Sequence, residues 1–184
     1  MNKRIIAFGA SNSKHSINKQ FAQFAANQLL NVEVTILDLN DFDLPMYSID
    51  LEKEYGIPVG VKQFSEIIKS CDAIIISVAE FNGLHTAAFK SLWEWLSRIP
   101  MNKPLNFWAD KAMFLLSTTT SRRADSHVLK LSKEMFPIFG SKIIATFYLP
   151  SFNHFFSRDQ ITEPTYLQDF NTQLHKFQTH LNNH

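Results

Sequence analysis

Short, nearly unbroken apolar runs punctuate the chain: RIIAFG (4–9), VEVTILDL (32–39), AIIISVA (73–79), AMFLLST (112–118) and KIIATFYL (142–149). They are brief and rich in β-branched residues, which is how strands covered on both faces read. The segments between them repeat at three and four residues instead. Within 16–30, Ile17, Phe21, Phe24, Ala25 and Leu29 share one helical stripe. Residues 62–69 form a shorter helix, 86–98 turns Ala88, Phe89, Leu92, Trp95 and Leu96 inward, and 124–138 completes the interior set. Leu167, Phe170, Leu174, Phe177 and Leu181 mark a final helix, with Pro164 near its first turn, where helix starts favour proline. That stripe is too short for a coiled coil and reads as a core-docked helix.

Strands alternating with helices imply an α/β fold: a parallel sheet covered on both faces. Right-handed crossovers force a doubly wound architecture, and at this size the five-stranded order 2-1-3-4-5 is expected. No internal repeat or low-complexity linker divides the chain, so residues 1–184 are read as one domain. In such sheets ligands bind at the carboxyl ends of the strands, where strand order reverses. The loops to inspect therefore follow residues 9, 79 and 118.

Composition changes this picture only by exclusion. At 184 residues and 45% hydrophobic, the chain can bury a core. Lys+Arg 18 against Asp+Glu 17 leaves +1, which supplies no electrostatic case for nucleic acid or an acidic membrane surface. A single cysteine, Cys71, rules out a disulfide framework within the chain. MNKRIIAFGA does not read as a signal peptide, and no apolar stretch nears the roughly 18 residues of a membrane span. A soluble, cytoplasmic protein is the expectation.

The first loop, AFGASNSKHSIN (7–18), gathers hydroxyl and amide side chains where strand turns to helix. A helix starting near Ser16 leaves N–H groups at Ile17 and Asn18 at its positive end, and Ser11, Ser13, Ser16 and Asn18 offer further donors to an anion. The plainer reading is a polar turn with Ser16 as N-cap. Neither G-x-x-x-x-G-K-[ST] nor G-x-G-x-x-G is present, which argues against an NTP with magnesium and against a conventional dinucleotide crossover. The second loop, AEFNGLHTAAFK (79–90), has Gly83, which permits positive φ, and Asn82, which tolerates it. It suits either the flank of a planar heterocycle or a βα turn with Phe81 packed inward. His85 reads as a surface or helix-start residue rather than a general base. The third loop, STTTSRRADSH (117–127), combines hydroxyls with Arg122 and Arg123, and by itself reads as a solvated loop with an N-cap. The seven histidines show no metal-ligand spacing, and nothing resembles G-x-S-x-G.

Together these residues resemble the NADPH-dependent FMN reductase family, the flavodoxin-like group that includes quinone, azo-dye and chromate reductases. That family's G-S-x-R-x-x-S-x-N falls on Ala10, Ser11, Ser13, Ser16 and Asn18. Its P-E-Y-N-G falls on AEFNG (79–83), its following Lys on Lys90 and its DWLSR on EWLSR (94–98), while LPMY (44–47) also matches. The similarity runs from about residue 4 to about residue 145. The resemblance implies a flavodoxin-like three-layer sandwich and an FMN with its phosphate at Ser11, Ser13, Ser16, Ile17 and Asn18. Its ring would lie against Ala79, Glu80, Phe81, Asn82 and Gly83, approached by Ser117, Thr118 and Thr119. It also implies NADPH or NADH as hydride donor, a small acceptor such as free flavin or a quinone, ping-pong order, and a homodimer or homotetramer. Because the cofactor carries the chemistry, no protein acid, base, nucleophile or metal is expected.

The chain departs from the family at named positions. Ser13 stands where the family has arginine, which predicts weaker FMN retention. Ala79 replaces proline, Phe81 replaces tyrosine, and RRAD replaces the glycines of the third loop, where Arg122 or Arg123 could hold a nicotinamide phosphate. Alongside the oxidoreductase stand a flavodoxin-type electron carrier, disfavoured because such carriers are typically acidic, and a fold relative that has lost flavin and serves as a binding module. Phe152, Phe155 and Phe156, with Phe107 and Trp108, fall in loops; such rings either fold back onto the core or form a subunit interface, and the family resemblance favours the interface.

Overall fold

The computed structural model describes residues 2–184. In chain order the elements are β1 (Lys3–Ala10), α1 (Ile17–Asn27), β2 (Val32–Leu37), a 3₁₀ turn (Leu39–Asp41), α2 (Ile49–Tyr55), α3 (Val59–Ser70) and β3 (Ala73–Val78). There follow β4 (Glu80–Phe81), β5 (Leu84–His85), α4 (Ala87–Leu96), β6 (Ala112–Thr118), α5 (His127–Ile138) and β7 (Lys142–Leu149). The chain ends with α6 (Phe152–Phe155), β8 (Phe156–Ser157), β9 (Gln160–Ile161) and α7 (Pro164–Asn183). The main sheet runs β2-β1-β3-β6-β7, all parallel, which is the expected 2-1-3-4-5 order once the two short hairpins are set aside.

The pleat sorts alternate residues into two cores. Ile6, Phe8, Ile74, Ile76, Met113 and Leu115 face α3, α4 and α5, meeting Phe64, Phe89, Leu92, Trp95 and Phe136. Ile5, Ala7, Ile75, Phe114 and Leu116 face α1 and α7, meeting Phe21, Phe24, Phe170 and Phe177. The three central strands are buried on both faces, whereas β2 alternates because it is an edge.

Several boundaries differ from the sequence reading. The helix expected at 62–69 is the longer α3, and α2 precedes it unannounced. None of the residues of α2 is buried, so it has no apolar stripe; a Ser48 cap and surface contacts define it. The segment 124–126 lies outside α5, since Ser126 caps it by accepting from Leu129 N–H. The aromatic-interface expectation is corrected. Phe107, Trp108, Phe152 and Phe156 are all buried in the chain's own cores. The one-turn α6 and the β8–β9 hairpin fold back, stacking Phe156 edge-on to Phe24 at 5.1 Å and Phe152 on Phe156 at 4.6 Å. A long irregular loop satisfies its own backbone by making this small hairpin, which frees it to bury its rings.

The EWLSR and LPMY segments meet each other. Trp95 Nε1 and Ser91 Oγ both donate to Pro45 O, at 2.8 and 2.9 Å, and Arg98 Nε pairs with Glu52 at 2.9 Å. Both motifs fasten the β2–α3 connection to α4, a structural task.

Candidate active site

The loops after β1, β3 and β6 converge at the carboxyl ends of the central strands. In the first, Ser11 N–H donates to Gly9 O and Ser13 N–H to Ser11 Oγ, turning the chain sharply before α1. Ser16 caps α1 by accepting from Lys19 N–H at 3.2 Å. The backbone N–H groups of Ile17 and Asn18 find no acceptor among the described residues. These are the orphan donors of a helix start, and Ser11, Ser13 and Ser16 lie on the loop that leads into it. Lys14 and His15 are exposed on the same loop.

Asn18 plays a different part from the one its motif suggested. Its side chain is buried, donating to Thr118 O at 3.1 Å while accepting from Thr118 N–H at 3.1 Å and Ser77 Oγ at 2.7 Å. It ties the start of α1 to β3 and β6, and only its backbone N–H remains for an anion.

The second loop is a hairpin. Asn82 and Gly83 take φ of 52° and 83°, the pair of positive values that a two-residue Asn-Gly turn requires. Phe81 and Leu84 therefore stand opposite each other at the turn, 60% and 61% exposed. The alternative in which Phe81 packs inward does not hold; it offers an apolar face beside the crevice. Thr86 caps α4 and donates its hydroxyl to Ala10 O at 3.0 Å, tying this loop to the first.

Glu80 is the hub between the second and third loops. Its side chain is 8% exposed and accepts from Ser126 Oγ at 2.8 Å, Val128 N–H at 3.2 Å and the Arg123 guanidinium. Burial pushes the carboxyl up, but those donors outweigh it and hold it below its ordinary value. Arg123 stood in the sequence only as one of two candidates for a nicotinamide phosphate, and Ser126 and Tyr148 were not singled out as site residues. The Ser126 cap was legible as a hydroxyl before an apolar-periodic run, whereas Tyr148 is one residue of a strand until the fold brings it here. Ser117 Oγ donates to Val78 O at 2.8 Å and Thr118 Oγ1 to Leu149 O at 2.8 Å, so both serve the sheet ends; Thr119 lies at the rim.

His85 lies at the start of α4, immediately before its Thr86 cap, with a half-buried ring. Its ring packs among Phe89, Trp93 and Phe136, and its Nε2 lies 2.8 Å from Ser132 Oγ. The Ser132 proton goes to Val128 O at 2.7 Å, so the imidazole must donate from Nε2. Burial pushes its pKa down to about 4, with Lys90 adding to the effect. The unfolded chain protonates first as pH falls below about 6.5, so stability drops from there to about 4. Expected is a loss on the order of 2–3 kcal/mol across that window in urea melts, which His85→Leu flattens. An unchanged slope in the variant would place the acid-sensitive group elsewhere.

Larger hollows exist, one of about 440 Å³ lined by Lys69, Met101, Asn106 and Asp110, but it opens at the amino ends of the strands. Among the described residues, no cluster of His, Cys, Asp or Glu could hold a metal ion, and no helix is long and apolar enough to cross a membrane.

The profile of the NADPH-dependent FMN reductases matches residues 3–154. The chain belongs to that family. A quinone reductase of Escherichia coli K12 is 35% identical over 63 residues, 34% of this chain and 33% of the relative. A probable NADPH:quinone oxidoreductase 2 of Oryza sativa is 27% identical over 119 residues, 63% of this chain and 56% of the relative. The chain thus spans about a third to about half the length of these relatives. Among solved structures, the flavoenzyme FerB of Paracoccus denitrificans, an NAD(P)H:(acceptor) oxidoreductase, superposes with a TM-score of 0.74 at 18% identity over 99% of this chain and 98% of that one. The apo form of an NADH:FMN oxidoreductase, EmoB, gives 0.70 at 18% identity over 97% and 90%. At such identities the superpositions establish the flavodoxin-like fold of this family member.

Proposed function

We propose that this reductase-family chain is an FMN-dependent NAD(P)H oxidoreductase that delivers reducing equivalents to a small acceptor, such as free flavin or a quinone, by a ping-pong sequence. One observation carries the reading: the unpartnered N–H groups of Ile17 and Asn18, at the end of the serine-rich first loop, share the carboxyl ends of the strands with the exposed Phe81–Leu84 pair. A donor-rich anion cradle beside an apolar platform is the chemistry a flavin mononucleotide needs.

Ile17 and Asn18 would hold the phosphate through backbone N–H groups, with the loop hydroxyls replacing the arginine absent at Ser13. Lys14, one residue further on, supplies an exposed positive charge to the same loop. The Ala79–Gly83 backbone and Phe81 would carry the ring, and the third loop would limit its exposure to water. Bound there, FMN supplies hydride acceptance from the nicotinamide and donation to the acceptor. The homodimer or homotetramer rests on the family resemblance, and sedimentation at micromolar protein tests it.

FMN titration should quench flavin fluorescence, and NADPH or NADH should then bleach the bound flavin anaerobically. Binding without bleaching would favour the electron carrier, and no binding would overturn both. Ser16→Asp keeps a good N-cap while placing a negative charge beside the cradle. FMN affinity should fall by about tenfold or more, roughly 1.4 kcal/mol. An unchanged affinity would move the phosphate away from α1.

A further inference from the structure

The third loop carries a basic pair, Arg122 and Arg123, that the flavin cradle does not use. We propose that Arg123 is an exchangeable anion-binding arm, parked on Glu80 in the free protein and transferred to a phosphate of the nicotinamide dinucleotide on binding, with Arg122 as its neighbour. This rests on the oxidoreductase reading above and names how that site recognises its donor.

The partners of the ion pair are unequal. Glu80 keeps two further donors, Ser126 Oγ at 2.8 Å and Val128 N–H at 3.2 Å, at the positive end of α5. Its charge therefore stays satisfied when the guanidinium leaves. The Arg123 side chain is 48% exposed, so its ion pair is worth little net, whereas a bidentate, charge-assisted arginine–phosphate contact is among the stronger polar contacts proteins make.

The arm can move without its anchor moving. Tyr148 Oη donates to Arg123 O at 3.0 Å, and Arg123 N–H donates to Ser121 Oγ at 3.3 Å. Ser151 and Phe152 N–H groups hold Ser121 O and Thr119 O, each at 2.8 Å. Burial pushes the Tyr148 hydroxyl up to about 12, so it remains a donor at neutral pH. None of these bonds involves the guanidinium.

The surrounding charges leave the rim basic. Asp125 is taken by Lys130, and Arg122 is exposed with no acidic partner among the described residues. With the arm parked, about 60 Å³ remains between Glu80, Gly83, Ser117, Arg123 and Tyr148. That is room for about two water molecules at their liquid volume. Release of the arm is what opens this end of the crevice.

The probes are 2′,5′-ADP and ADP by calorimetry on the flavin-loaded protein, and NADPH and NADH by steady-state kinetics. For Arg123→Gln, binding of the affected nucleotide should weaken at least about tenfold, with KM rising in step and kcat within about twofold. Loss confined to 2′,5′-ADP and NADPH assigns the arm to the 2′-phosphate; loss shared by ADP and NADH assigns it to the pyrophosphate. Arg123→Lys should restore binding only partly, because a point charge cannot form the fork. Glu80→Gln, which removes the parking charge, should tighten nucleotide binding. Unchanged nucleotide affinity in Arg123→Gln overturns the arm, as does a wild-type protein that binds neither probe nucleotide, and unchanged or weaker binding in Glu80→Gln overturns the exchange. A protein that never takes up FMN would instead sink the oxidoreductase reading, and the calorimetry, run without flavin, would still read the arm.

Discussion

Gly9→Ala is expected to destabilise the fold by about 3 kcal/mol or more and to remove FMN binding. Gly9 is buried near the end of β1, opposite Ser77 of β3. A Cβ there would lie 2.7 Å from Lys19 Cα and 2.8 Å from Asn18 C, and would also clash with Lys19 N. These are backbone atoms of α1, so no side chain can rotate away, and β1 is held between β2 and β3. The helix must retreat, taking the Ile17 and Asn18 N–H groups with it. Urea unfolding and an FMN titration on the same preparation would check this, and wild-type values for both would show that α1 is free to shift.

Asn18→Leu should cost on the order of 3–5 kcal/mol, although it keeps the size and lies outside the hydrophobic cores. It strips the acceptor from Ser77 Oγ and both partners from Thr118 N–H and Thr118 O, three buried polar groups at once. Buried groups left unpaired each cost about 1–3 kcal/mol, which sets the estimate after partial relaxation. Because Thr118 starts the third loop, hydrogen exchange at residues 118–123 should rise along with the loss of stability. Asn18→Asp would not rescue it, since a carboxylate cannot donate to Thr118 O and would bury a charge. A small stability change in Asn18→Leu would show that water reaches these groups.

The sheet order was legible because each main strand is a brief apolar run and the helices that cover the sheet carry apolar stripes, and the handedness of crossovers leaves few ways to join them. α2 was not legible, since a helix that buries nothing writes no periodicity. The Asn82–Gly83 turn was readable as positive φ, yet the hairpin around it spans only two residues on each side, too short for an alternating pattern. The rings at 107–108 and 152–156 were misjudged because burial depends on what a loop folds against, a property of the assembled layers.

Residue types and their spacing by themselves determined the doubly wound sheet, the crevice at its carboxyl ends and the hydroxyl-rich start of α1. Only the tertiary structure decided what each polar group there does. It turned the Asn18 amide inward to join α1 to two strands, set the Glu80 carboxylate on the N–H of Val128 at the start of α5 and laid Arg123 across the crevice upon it. The reason is physical: a local pattern sets which backbone conformation a segment prefers, but a buried polar side chain is assigned by the partners it must find, and those lie 43 to 100 residues away in the chain.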